Sequence, residues 1–192
     1  MPKPTWRDLI RTYVPASEQE KRDKSLFLKW MERPDVLCRS SEAAHVTASA
    51  FVMDETLNYV LMAWHRIYRS YAWLGGHADG QEDLMAVARR EACEESGIRR
   101  LTPMRKAIAA LDVLPVPAHV RRGQLVSKHL HLNATWLFTA PMDQTLAVKE
   151  DENTAVSWIA VSDLPWQISE ADMLPVYRKL IATARRWRSE DQ

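Results

Sequence analysis

Glycine is scarce in this chain of 192 residues, with five occurrences at positions 75, 76, 80, 97 and 123. Neither an internal repeat nor a low-complexity segment is present, so solenoid, fibrous and linker-like classes are excluded. Cysteine is scarcer still: Cys38 and Cys93 lie far apart and lack the spacing of a zinc-ligand pair. Both read as small buried hydrophobes, and no disulfide is expected. Long apolar runs are missing too. No stretch approaches a membrane span, and the opening residues 1–8 contain no apolar core of the kind a secretory signal needs, so a cytoplasmic location without membrane contact is expected. Charge of one sign is also absent: 26 Lys and Arg against 25 Asp and Glu leave a net charge of +1. Such a balance argues against a nucleic-acid platform or an anionic-membrane binder, and any substrate electrostatics must be local.

With 46% apolar residues the chain can bury one good core but hardly two. A single main domain over 41–192, including a C-terminal helix, is expected after a helical extension over 1–40. In that extension Ser17-Glu18-Gln19-Glu20 is a capping-box signature, and Leu26, Phe27 and Trp30 form an apolar face before Pro34. Packing as a brace on the main domain is the simpler role; a homodimer contact is the alternative.

The most informative stretch runs from Gly75 to Ile98. Glu91, Glu94 and Glu95 stand at i, i+3 and i+4, so a helix projects them from one face within reach of each other. Like charges this close repel, and a hard divalent cation such as Mg²⁺ or Mn²⁺ removes that cost. Gly75, Gly76 and Gly80 give backbone freedom before the helix, and Gly97 is placed to stop it. Leu84, Ala88, Glu91 and Glu95 share one stripe, which turns acidic where core would be expected.

The pattern Gly76, five residues, Glu82, seven residues, Arg90-Glu91, Ala92, one residue, Glu94-Glu95, one residue, Gly97-Ile98 resembles the Nudix box at every fixed position. Ala92 is smaller than the Leu often found at its position. The resemblance implies an α/β/α sandwich with a mixed sheet. It also implies a MutT-like hydrolase that uses Mg²⁺ or Mn²⁺ to direct water at a diphosphate linkage. The substrate class would be a small-molecule phosphoanhydride, a nucleoside diphosphate joined to a group X. By the same resemblance Glu91, Glu94, Glu95 and the backbone carbonyl of Gly76 ligate metal, one glutamate of the cluster also serves as base, and Arg90 with Glu82 braces the loop against the helix. A glutamate before the last strand completes such sites in many members. Glu152 is the choice here, with Glu150 and Asp151 as rivals.

Strands are expected over 45–53, 59–64, 107–113, 130–138 and 155–161, with an exposed connection at Pro115, Pro117, Arg121, Arg122 and Gly123 and a C-terminal helix over 175–188. On the fourth of these strands Leu130, Leu132, Ala134, Trp136 and Phe138 share one face, and His129, His131, Asn133 and Thr135 share the other. The first set is core. The second is a candidate cleft wall, where His129 and His131, together with His77 after the glycine pair, are candidates for substrate contact. Arg121, Arg122 and Lys128 are candidates to grip phosphate, since guanidinium groups match its oxygens. Tyr68, Tyr71 and Trp73 are candidates to stack on a base. His45, His65 and His119 carry no assignment.

Two other readings compete. Isopentenyl diphosphate isomerases share the implied fold, and His45 and Gly76-His77 echo their metal-binding histidines, but this chain has glycine where those enzymes have a catalytic cysteine. A Nudix-fold ligand sensor usually loses box carboxylates, and here all are kept.

Overall fold

The computed structural model describes residues 3–65, 69–121, 123–148 and 153–191, with only the backbone of Arg121. The chain opens with α1 (Trp6–Thr12) and α2 (Glu18–Trp30). Thr5 caps α1 in a reciprocal box with Asp8, and the Ser17 hydroxyl accepts from the Glu20 amide at the start of α2. Both helices insert apolar side chains into the core: Trp6, Ile10 and Phe27 are 0–2% exposed.

Among the described residues ten strands follow: β1 (Ala44–Met53), β2 (Tyr59–His65), β3 (Ser70–Ala72), β4 (Leu74–His77), β5 (Thr102–Pro103), β6 (Ala110–Val116), β7 (His119–Arg121), β8 (Gln124–Val126), β9 (His129–Thr139) and β10 (Asn153–Ala160). The helix α3 (Leu84–Ser96) lies between β4 and β5, while α4 (Leu164–Gln167) and α5 (Met173–Glu190) follow β10. The main sheet runs β10-β2-β1-β9-β5, with β3 on β2, β4 on β1 and β6 on β9. β1 and β9 are parallel and the other pairs antiparallel. The expected mixed sheet is therefore present, with helices on both faces.

Successive residues of a strand point to opposite faces, so each strand feeds two cores. Val46, Ala48, Ala50 and Val52 of β1 join Leu132, Ala134 and Trp136 of β9 beneath Leu84, Val87, Ala88 and Ala92 of α3. The N-terminal helices add Trp6, Ile10 and Phe27 to this same cluster. Phe51 and Met53 of β1 and Leu137 of β9 face the other way, onto Tyr177, Leu180, Ile181 and Ala184 of α5. An ion cluster ties the ends of the chain together. Lys179 Nζ of α5 lies 2.9 Å from Glu20 of α2 and 2.5 Å from Asp112 of β6.

Several boundaries differ from expectation. The glycine pair belongs to β4 instead of a loop, because Gly75 and Gly76 pair with Ser49 and Ala48 of β1. β6 starts later than expected and runs through Pro115 to Val116. A proline without an N–H is tolerated there because, among the described residues, β6 pairs on one side only, with β9. The exposed connection contains the hairpin β7–β8. Cys38 and Cys93 are free thiols, half-buried where full burial was expected.

Candidate active site

α3 is held at both ends. The Asp83 side chain caps it by accepting from the Ala86 amide at 3.2 Å, and Gly97 closes it at φ +77° with its amide on the Cys93 carbonyl at 2.9 Å. The stripe expected from the sequence is buried: Leu84, Ala88, Glu91 and Glu95 are 2, 0, 9 and 7% exposed. Glu94 lies on the flank and is exposed. The two buried carboxylates pack on β4. A Cβ added to Gly76 would stand 2.5 Å from the Glu91 Cδ, and the Gly75 amide donates to Glu95 Oε2 at 3.1 Å. Glycine at 76 is therefore required by contact, since any side chain would occupy the space of the Glu91 carboxylate.

Arg90 holds the cluster from the side, 2.8 Å from Glu91 and 3.3 Å from Glu94. Burial opposes its charge, but these carboxylates keep its pKa above the usual value. The expected brace between Arg90 and Glu82 is not seen. Glu82 precedes the helix and meets Arg7 of α1 at 3.9 Å, whereas Glu94 stands one turn beyond Arg90 on its own face. All donors at this corner are oxygens, the set that suits a hard divalent cation.

His77 lies on the other side of the strand. Gly76 faces α3, so its neighbour must face α5, and His77 stacks at 4.9 Å from both His45 and His131. β1 and β9 pair His45 with His131, and β1 and β4 pair Thr47 with His77. Three strands thus deliver three imidazoles to one patch, and His129 adds a fourth with its Nε2 3.2 Å from Nε2 of His131. Burial, followed by Arg39 and the neighbouring ring of His45, pushes His77 down to about 3. Burial and the rings of His77 and His45 push His131 down to about 2. Burial likewise lowers His45. Burial thus disfavours the charged form of His45, His77 and His131.

Beyond the histidines Asn133 Oδ1 accepts from Thr47 and Ser49 at 2.9 and 2.8 Å, and its amide donates to Thr135 at 3.0 Å. Asn133 and Thr135 are fully buried, so they stiffen the sheet and do not line a cleft. His129 and His131 do border one, a cavity of about 670 Å³ also lined by Trp73, Lys128, Glu170 and Tyr177. Trp73 stacks edge-on against Tyr177, and Tyr71 against Trp64.

Of the residues expected from the sequence, the structure brings together Glu91, Glu95, Gly76, Arg90 and Glu94 on one side of β4, and His77, His129 and His131 on the other. Tyr68, Arg122, Glu150, Asp151 and Glu152 lie outside the described residues, as does the side chain of Arg121. His45 was given no role beyond its echo of the isomerase histidines, although the alternation His45-Val46-Thr47-Ala48-Ser49 places polar residues on one face of β1.

A mixed sheet between helices, with a capped helix that buries carboxylates against a glycine strand, defines an α/β/α sandwich with an oxygen-lined corner. The chain matches the NUDIX domain over residues 43–183 and belongs to the Nudix family. Its fold is similar to that of a C. elegans Ap4A hydrolase, at 18% identity and TM-score 0.52, over 73% of this chain and 97% of that one. It is also similar to the Nudix hydrolase RenU from M. smegmatis, at 16% identity and TM-score 0.52, over 72% and 86% of the two chains. No curated protein sequence matches it. Among the described residues, no helix is long and apolar enough to cross a membrane.

Proposed function

We propose that this Nudix protein hydrolyses a diphosphate linkage in a small nucleotide-derived phosphoanhydride with the help of Mg²⁺ or Mn²⁺. The observation that carries the reading is the burial of Glu91 and Glu95 against the glycine strand, beside the exposed Glu94. Three carboxylates on one helix beside a backbone carbonyl form an all-oxygen donor set of the kind a hard divalent cation takes, which supports the reading.

Glu91, Glu94, Glu95 and the Gly76 carbonyl would hold the cation. When bound, it neutralises phosphate charge and lowers the pKa of water. Arg90 fixes the orientation of Glu91 and Glu94. The proton of the attacking water passes to a carboxylate, Glu94 or Glu95 on α3 or Glu152, the residue that precedes β10 in the sequence. Phosphates enter over the edge formed by β4, which pairs with β1 alone among the described residues. The rest of the substrate occupies the cavity on the α5 face, where Trp73 and Tyr177 present aromatic surface and His129, His131 and Lys128 present polar groups. Arg121 and Arg122 are candidates for phosphate oxygens, and His77 for the approach to them.

Phosphate or monophosphate release from nucleoside triphosphates, ADP-sugars, dinucleoside polyphosphates and NADH, with and without Mg²⁺, tests the reading. Turnover should vanish with a chelator and in Glu94→Gln, an exposed site whose change leaves the fold intact. Retained turnover in Glu94→Gln overturns the site. Tight binding of one compound without hydrolysis of any identifies a ligand sensor.

A further inference from the structure

The four histidines on the α5 face form a donor set that the carboxylate corner does not use. We propose that His45, His77 and His131 bind one d-block divalent cation of the Zn²⁺ class, at a site separate from the oxygen-lined corner on α3.

Geometry is the first support. One ligand atom from each of the three rings lies within 4.8 Å of the other two. Tetrahedral zinc with bonds of about 2.0–2.1 Å needs nitrogens about 3.3 Å apart, which modest side-chain rotations supply. The three rings come from β1, β4 and β9, held in register by the sheet, so the site sits on rigid backbone.

The second support is an orphaned atom. His45 is 5% exposed, and its Nδ1 lies 3.1 Å from the Ser41 carbonyl. A carbonyl only accepts, so Nδ1 carries the proton and Nε2 carries the lone pair. That Nε2 is buried without a hydrogen-bond partner. A buried unpaired acceptor is unfavourable unless something fills the position. A metal ligand whose other ring nitrogen donates to a carbonyl has this arrangement, because the outer bond fixes both tautomer and ring orientation. His129 repeats it, with Nδ1 2.8 Å from the Ser127 carbonyl and Nε2 turned to His131.

Donor chemistry is the third. The cluster offers imidazole and no carboxylate, a set that suits Zn²⁺, Ni²⁺ or Cu²⁺ and discriminates against Mg²⁺. Burial disfavours the charged form of the three rings, and the neutral ring is the ligand form. The corner on α3 has the opposite preference. His131 and His129 border the cavity, so a cation here would meet an oxygen or nitrogen of whatever occupies it.

The test is titration of the metal-free full-length protein with ZnCl₂ in excess MgCl₂, followed by calorimetry, and with CoCl₂, followed by visible absorption. One equivalent of Zn²⁺ should bind despite the Mg²⁺, and Co²⁺ should develop the intense bands of a nitrogen-ligated tetrahedral ion. His77→Ala and His131→Ala should each weaken Zn²⁺ binding at least tenfold, while Glu91→Gln leaves it unchanged. Absence of Zn²⁺ binding under excess Mg²⁺ overturns the proposal, and so does binding lost in Glu91→Gln but kept in the histidine variants. Should those variants fail to fold, wild-type protein decides: Zn²⁺ should slow histidine modification by diethyl pyrocarbonate, and unchanged modification overturns the site. None of these readouts depends on hydrolysis, so they stand or fall apart from the proposed activity.

Discussion

A Cβ on Gly76 would lie 2.5 Å from the Cδ of Glu91 and 2.8 Å from its Cγ. The strand and the helix approach so closely that backbone at 76 and carboxylate at 91 share one space. In Gly76→Ala the Glu91 carboxylate must shift. Overpacking of this kind costs about 1–3 kcal/mol, which a shift of the urea midpoint would measure. A displacement near 1 Å at a reacting centre costs roughly 100-fold in turnover. A variant with unaltered kcat would show that Glu91 does not need its present position.

Lys179 meets both carboxylates at the junction of α2, β6 and α5, where Glu20 and Asp112 are 2 and 4% exposed. Removing one partner from a buried ionic group leaves uncompensated charge, at a cost of about 3–5 kcal/mol. Lys179→Met should therefore lower stability by that order in chemical denaturation. Adding Asp112→Asn should restore part of the loss, since one buried charge then disappears. No recovery in the double variant would mean that Lys179 acts through packing.

The N-terminal helices can be tested in the same way. Trp6 is 2% exposed in the cluster that also holds Leu84 and Trp136, so Trp6→Ala should cost about 3–5 kcal/mol. A change below about 1 kcal/mol would show the helices to be dispensable to the core.

Asp54 sets an acid limit on stability. It closes the turn between β1 and β2, where its carboxylate accepts from the Thr56, Asn58 and Tyr59 amides at 2.9, 2.8 and 2.7 Å and from the Thr56 hydroxyl. Burial raises its pKa, but the bonds from Thr56, Tyr59 and Asn58 outweigh burial and hold it below the ordinary carboxylate value. A depressed folded-state pKa means that the unfolded chain binds the proton more readily. The contribution is then fully present above the ordinary carboxylate pKa and is lost as pH falls through the folded value. Asp54→Ala should lower stability at neutral pH by about 1–3 kcal/mol, and the gap to wild type should narrow as pH is taken below about 4. A gap independent of pH would remove Asp54 from the acid response.

Much of the carboxylate corner was legible in the sequence because its signals are local. The i, i+3, i+4 spacing of Glu91, Glu94 and Glu95, the capping Asp83 and the closing Gly97 lie within one helix, and helical periodicity alone turns that spacing into a shared face. The two faces of β9 were legible for the same reason, through period-two alternation from His129 to Phe138. The glycine pair was less transparent. Gly75 and Gly76 read as a loop because glycine is poor in strands, while the tight packing of Glu91 on β4 selects glycine inside a strand. The partner of Glu82 was misjudged because Arg7 is 75 residues away in sequence and meets it only through docking of α1.

The sequence by itself determined the helix, its carboxylates and, through the resemblance they carry, the family, since these rest on spacings of a few residues. Only the tertiary structure decided that the histidines form a group. His45, His77 and His131 are separated by 32 and 54 residues, and what unites them is strand register, the pairing of β1 with β4 and β9. Register is a property of hydrogen bonds between distant segments, and no periodicity within a single segment encodes it. The same pairing sets Gly76 and His77 on opposite faces of β4, and so divides one continuous stretch of sequence between an oxygen-lined corner and a nitrogen-lined one.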